Sequence, residues 1–168
     1  LNFIIGNPPF IGARYMSDVQ KADKIKVFGD DWKYLGSLDY VCCWLYKSLQ
    51  FMSYNNDIKA AIVATNSVCQ GEQVPALWTP LFERGITIDF GYQSFPWESE
   101  AKDKAHVHCV IIGFSAKNDG RVKRLFVGNN LYYVNNINGY LQGKANDTIE
   151  KHSKAICTEA PIMQLGNK

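Results

Sequence analysis

An asparagine followed by two prolines and a phenylalanine, Asn7-Pro8-Pro9-Phe10, is the stretch of this chain best equipped for chemistry. Each proline fixes φ and removes a backbone donor, so the apolar run Leu1–Ile5 cannot continue as a strand beyond Gly6. The tetrapeptide is therefore predicted to be a rigid loop at the carboxyl end of a strand, where open α/β sheets bind their ligands. There Asn7 carries a side-chain amide and Pro8 a main-chain carbonyl, both able to accept hydrogen bonds, beside the aromatic Phe10. An ordinary Asn-Pro turn with a buried phenylalanine accounts for the four residues alone equally well.

Other candidate groups are weaker. His106 and His108 fall on one face of a predicted strand, but no carboxylate or cysteine joins them at ligand spacing, so packed or rim histidines are expected rather than a metal site. Between Ala101 and Gly128, Lys102, Lys104, Lys117, Arg121, Lys123 and Arg124 outnumber Asp103 and Asp119. Such a local excess suits a phosphate backbone, with solvated surface as the alternative for any one of them. There is no Gly-x-Ser-x-Gly elbow and no Walker loop.

The elements that must position these groups follow from hydrophobic period and punctuation. A strand near Asn2–Ile5 gives way, after the loop, to a long polar excursion from Ile11 to Gly36, expected to lie over the active-site edge. Ser37 should cap a helix running from Leu38 to about Ser53, on which the paired Cys42 and Cys43 and Trp44 are core packing. Ile58–Ala64 reads as a buried strand, Val68–Gln73 as a loop, and Val74–Arg84 as a helix that Pro80 must kink or restart. Ile86–Phe90 is the next strand, Gly91–Ala105 a loop, and His106–Phe114 another strand. Arg121–Val127 and Leu131–Val134 could pair as a hairpin, and at most a short helix near Thr148–Ala155 follows. Strands alternating with helices predict an α/β sheet with right-handed crossovers, its last strand joined antiparallel.

The 168 residues are one domain's worth, 46% hydrophobic and 20% charged, with a net charge of +2. No apolar run approaches the roughly 20 residues of a membrane span, and no signal peptide precedes the first strand, so no membrane association is expected. Five cysteines without a Cys-x-x-Cys pair favour neither disulfides nor zinc and point to a reducing cytoplasm. The chain opens on Leu1 inside a strand pattern, as a piece cut from a longer polypeptide would.

Asn7-Pro8-Pro9-Phe10 resembles the catalytic loop of amino-methylating DNA methyltransferases. Taken with Leu38-Asp39-Tyr40-Val41, the stretch Thr65-Asn66-Ser67-Val68-Cys69-Gln70-Gly71-Glu72-Gln73-Val74, and Phe95-Pro96-Trp97 before His108–Phe114, the chain is similar to the adenine methyltransferase part of MmeI-like restriction–modification proteins. The resemblance covers nearly the whole chain. It implies the carboxyl-terminal half of a class I (Rossmann-like) S-adenosylmethionine-dependent fold, beginning at that sheet's fourth strand. Residues 1–116 would be the partial catalytic domain, and residues 117–168 a hairpin and linker toward a target recognition domain. The implied reaction is methyl transfer from S-adenosylmethionine to N6 of an adenine flipped out of double-stranded DNA. Asn7 and Pro8 would hold the amine, Pro9 would brace them, and Phe10 would stack on the base. Phe95 and Trp97 would supply a second aromatic wall, with Lys102, Lys104, Arg121, Lys123 and Arg124 as DNA-contact candidates.

No glycine-rich loop follows a strand, so the resemblance places the donor pocket outside these residues, with Asn7 the one residue that could border it. An isolated chain is then expected to be inactive and to self-associate through the exposed edge of its first strand. Two alternatives stand beside this reading: a protein-glutamine N-methyltransferase, which uses Asn-Pro-Pro-Tyr with the same amide logic, and a non-catalytic DNA-binding α/β module.

Overall fold

The structure is a computed structural model that describes residues 2–97, 107–117 and 119–149. Six strands form one mixed sheet: β1 (Phe3–Gly6), β2 (Lys59–Thr65), β3 (Thr87–Trp97), β4 (Val107–Ser115), β5 (Lys123–Val127) and β6 (Asn130–Val134). Their order across the sheet is β1-β2-β4-β3-β5-β6. β1 and β2 are parallel, with Phe3 opposite Lys59 and Gly6 opposite Ile62. The strand expected first therefore lies beside the strand expected near Ile58–Ala64. β4 runs antiparallel to β3, as predicted from the missing helix before it, and inserts between β2 and β3.

The core forms where helices cover this sheet. In β2, Ala60, Ile62 and Ala64 are buried while Ala61, Val63 and Thr65 are half-buried. Helix α2 (Cys42–Met52) lays Cys42, Leu45, Leu49 and Met52 into the cluster that includes Ile58, Ile62 and Ala64. Full burial stabilises each large aliphatic side chain by roughly 1.5–3 kcal/mol. Trp78, fully buried, donates its indole N–H to the Val68 carbonyl at 2.8 Å.

Three expectations are corrected. The excursion Ile11–Gly36 contains helix α1 (Asp18–Phe28), started by a capping box in which Ser17 and Gln20 satisfy each other's backbone N–H groups. Its apolar stripe is thin, since Val19 and Ile25 are exposed and only Lys24 and Phe28 are buried, so hydrophobic period gave no signal. The Ser-x-x-Gln spacing was the available one. The second helix starts at Cys42 rather than Leu38. Ser37 closes a short 3-10 turn and donates its hydroxyl to the Tyr34 carbonyl at 2.8 Å instead of capping. Strand β3 is eleven residues long and runs on through Gly91–Trp97, read from the sequence as loop. Gly91 and Pro96 suggested a break there, but β4 pairs with this stretch across a register shift between Tyr92 and Phe95. As expected of Pro80, the Val74–Arg84 stretch restarts: a π-helical turn, Val74–Trp78, is followed by α3 (Thr79–Glu83), which carries Pro80 in its first turn.

The β5–β6 hairpin forms as expected, but it is hydrogen-bonded into the same sheet, β5 running parallel to β3. Ile137 and Leu141 beyond it join the same core. Thr148 and Ile149 are not helical, and the rest of the short helix expected there lies outside the described residues.

Candidate active site

Because Gly6 pairs with Ile62, the loop beginning at Asn7 runs beside the last residues of β2, at the carboxyl ends of both strands. Asn7 is exposed, and its amide takes no hydrogen bond among the described residues. Pro8 is buried and anchors the loop. The Pro9 carbonyl accepts the Ile11 N–H at 3.2 Å, whereas the Pro8 carbonyl accepts nothing among the described residues. The acceptor pair read from the sequence is thus open. Phe10 is half-buried beside it.

What holds this loop is Asp39. One carboxylate oxygen accepts the Ala13 N–H at 2.8 Å, and the other accepts the Ser67 hydroxyl. The Asp39 N–H in turn donates to Gln73 Oε1 at 3.2 Å, and Tyr40 N–H donates to the Ile11 carbonyl at 2.9 Å. Two of the stretches that carry the family resemblance, Leu38–Val41 and Thr65–Val74, therefore meet the turn that follows the proline loop at one buried carboxylate. The sequence reading quoted both but assigned Asp39 no part; its position in a shared motif beside a polar Thr-Asn-Ser run was the available signal. Beneath it the buried Lys24 ammonium donates to the Leu38 carbonyl at 2.9 Å. Burial lowers that lysine's pKa, while the neighbouring Cys42, Cys43 and Asp39 pull it back up.

Two clefts open at this end. The larger, about 630 Å³, is lined by Arg14, Tyr15, Asp39, Ser67 and Gln73 among others. The second, about 410 Å³, is lined largely by uncharged polar groups: Asn66, Gln70, Gln93, Ser94 and Tyr140. Gln70 and Gly71 border both.

Phe95 pairs with Cys109, which pairs with Thr65, so it stands at the same end of the sheet as the loop. It is half-buried and meets Tyr92 edge-on at 5.4 Å between ring centres. Three strand spacings separate β3 from β1, roughly 14 Å. Trp97 ends β3 opposite Val107. Lys102 and Lys104 lie outside the described residues.

The basic segment is not brought to the loop. Arg124 pairs with Phe90, which is level through Gly113 and Ala61 with Ile5, but β5 lies four strand spacings from β1, roughly 19 Å across the sheet. Lys123 leaves the DNA-contact set altogether: its side chain is 3% exposed and its ammonium lies 3.2 Å from Asp89. Strand β5 alternates, which turns Lys123 inward while Arg124 faces solvent. Arg121 is paired with Asp119 at 3.1 Å.

His108 is exposed opposite Pro96, His106 lies outside the described residues, and no group of three metal-ligating side chains occurs among the described residues. The methyl donor implied by the resemblance does not fit the residues present. No strand end among them carries a glycine-rich turn, and β1, at the sheet's margin, leaves Phe3 65% and Ile5 83% exposed.

Residues 1–127 match the family described as MmeI, DNA-methyltransferase domain. Over 165 residues, 98% of this chain, the sequence is 39% identical to DNA methyltransferase A of Bacillus subtilis (strain 168), of which it covers 18%. The solved structure of the type IIL restriction–modification enzyme MmeI in complex with DNA matches with a TM-score of 0.84 at 39% identity, over 90% of this chain and 21% of that one. The chain thus spans about a fifth of the length of these relatives.

Proposed function

The chain belongs to the MmeI DNA-methyltransferase family, and from that premise we propose that it is the base-binding part of an adenine-N6 DNA methyltransferase of a restriction–modification system. The observation that carries the reading is the open acceptor pair of Asn7 and Pro8, fixed by two prolines and by the Asp39 bonds at the carboxyl end of β1.

An exocyclic adenine amine is a poor nucleophile because its lone pair is delocalised into the ring. When the Asn7 Oδ1 and Pro8 carbonyl oxygens accept its two hydrogens, the nitrogen is drawn toward tetrahedral geometry and its lone pair points out of the base plane. Phe10 holds the base by its face, and Phe95 and Trp97 are placed at the sheet end where a second wall would stand. Base–aromatic stacking is worth about 1–3 kcal/mol per base, and extruding a paired base costs a few kcal/mol. S-adenosylmethionine, when bound, supplies the methyl group; its pocket is expected from residues other than these. The partner is double-stranded DNA, and the isolated chain is inactive.

In the full-length protein, Asn7→Ala is expected to lower DNA methylation at least about 100-fold while donor affinity, measured by calorimetry, stays within about twofold. Equal losses of turnover and donor affinity would show that Asn7 belongs to the donor pocket and not to the amine.

A further inference from the structure

The turn Ala13–Tyr15 follows the proline loop and projects a large aromatic side chain into solvent. Tyr15 is 85% exposed, yet its backbone is fixed: its N–H donates to the Gly12 carbonyl at 2.9 Å, and the neighbouring Ala13 N–H is held by Asp39. Among the described residues only Tyr54 is a more exposed aromatic, and it follows α2 at the far end of the sheet, before β2 begins. Arg14 sits beside Tyr15, exposed and without an ion pair among the described residues, and is the cation lining the larger cleft.

Building on the DNA-methyltransferase reading above, we propose that Tyr15 is a wedge that enters the duplex beside the target adenine, and that Arg14 anchors it on a flanking phosphate. Extruding a base breaks its stacking on both neighbours, and an inserted side chain restores part of that contact. A ring on a pinned turn loses little conformational freedom when it inserts, which a ring on a flexible loop would. Arg14 is the cation among the residues that line this cleft, and the Asp39 carboxylate in the same lining is held by the Ala13 N–H and the Ser67 hydroxyl. The basic segment of β5, four strands away from β1 across the sheet, does not compete for this role.

The test uses the full-length protein and two duplexes, one with the target adenine paired and one with it opposite a mismatched base, where extrusion is easier. Tyr15→Ala should weaken binding about 10-fold on the paired duplex and no more than about threefold on the mismatched one. Tyr15→Phe should restore the paired-duplex affinity. With 2-aminopurine at the target, the emission rise that reports flipping should fall in Tyr15→Ala and return in Tyr15→Phe. Arg14→Ala should reduce the salt dependence of binding by about one unit of slope on both duplexes, and Arg14→Lys should restore it. Equal losses on both duplexes in Tyr15→Ala, or no loss, in an enzyme that still methylates DNA would overturn the wedge alone. A wild-type protein that neither binds nor methylates duplex DNA would overturn the underlying reading and the wedge with it.

Discussion

Asn7 and Pro8 do different work from Phe10, and the two roles separate experimentally. In the proposed reaction the acceptor pair acts on the amine, whereas Phe10 acts on the base as a surface. Phe10→Ala is therefore expected to weaken binding to DNA bearing a normal adenine by about 1–3 kcal/mol, and to spare DNA with an abasic target, which has no base to stack. Identical losses on the two substrates, read by fluorescence anisotropy, would make Phe10 a packing residue only. Asp39 works at one remove, since it touches the loop's flank and not the loop's acceptors. Hydrogen bonds to a charged group contribute about 1.5–3 kcal/mol each, and Asp39 makes two of them across elements far apart in sequence.

Among the elements, β3 and β4 are joined by a contact that depends on the absence of a side chain. Phe90 pairs with Gly113 across the two strands, and a Cβ on Gly113 would stand 2.0 Å from the Phe90 ring. The ring lies over the glycine, and this close approach keeps β4 flat against its neighbour. Gly113→Ala must therefore push the ring or the strand aside, with a cost of about 1–3 kcal/mol. A melting temperature lowered by roughly 2–12 °C is the expected result, and an unchanged melting curve would mean that the ring swings away freely. Because β4 also carries Cys109 opposite Phe95, the same substitution should disturb the sheet end where Phe95 stands.

The whole molecule carries four buried thiols among its described residues, Cys42, Cys43, Cys69 and Cys109. Burial raises the pKa of each, pushing Cys43 from the ordinary 9.0 to about 11. The folded state thus keeps protons that the unfolded chain releases. Stability from these thiols is full below pH 9, declines as pH rises from about 9 to about 11 for Cys43, and is lost above that. For Cys43 alone the change is about 3 kcal/mol. Lys24 works in the opposite sense, since its lowered pKa penalises folding until the pH approaches 10.5. With one lysine against several thiols, urea midpoints should fall between pH 9 and 11; midpoints that rise over that range would show the thiols to be solvated. At the margin of the sheet, β1 offers an outer edge with Phe3 and Ile5 exposed and without the charge, proline or bulge that protects natural edges. The isolated 168-residue chain is expected to self-associate at micromolar concentration and to show no measurable affinity for S-adenosylmethionine. Sedimentation giving a strict monomer, with tight donor binding by titration, would reverse both expectations.

The sequence by itself determined the parts that local rules govern. Two consecutive prolines end a strand, so the loop at Asn7–Phe10 and the strands β1 and β2 were legible from residue type and period. The antiparallel join of β4 to β3 followed from the missing crossover helix, while its place between β2 and β3 did not. Only the tertiary structure decided the rest. Helix α1 has almost no apolar stripe and is held by a capping box and by Phe28, whose ring packs with Trp32 and Tyr46 at 4.8 Å from each. The late start of α2 reflects the bonds that Leu38, Asp39 and Tyr40 make to distant residues, which hold that stretch out of a helix. Lys123 and Arg124 are neighbours of like charge in sequence, and strand alternation alone sends one into an ion pair and the other into water. Asp39 gains its place because three stretches far apart in the chain converge on it, and no local pattern encodes that convergence.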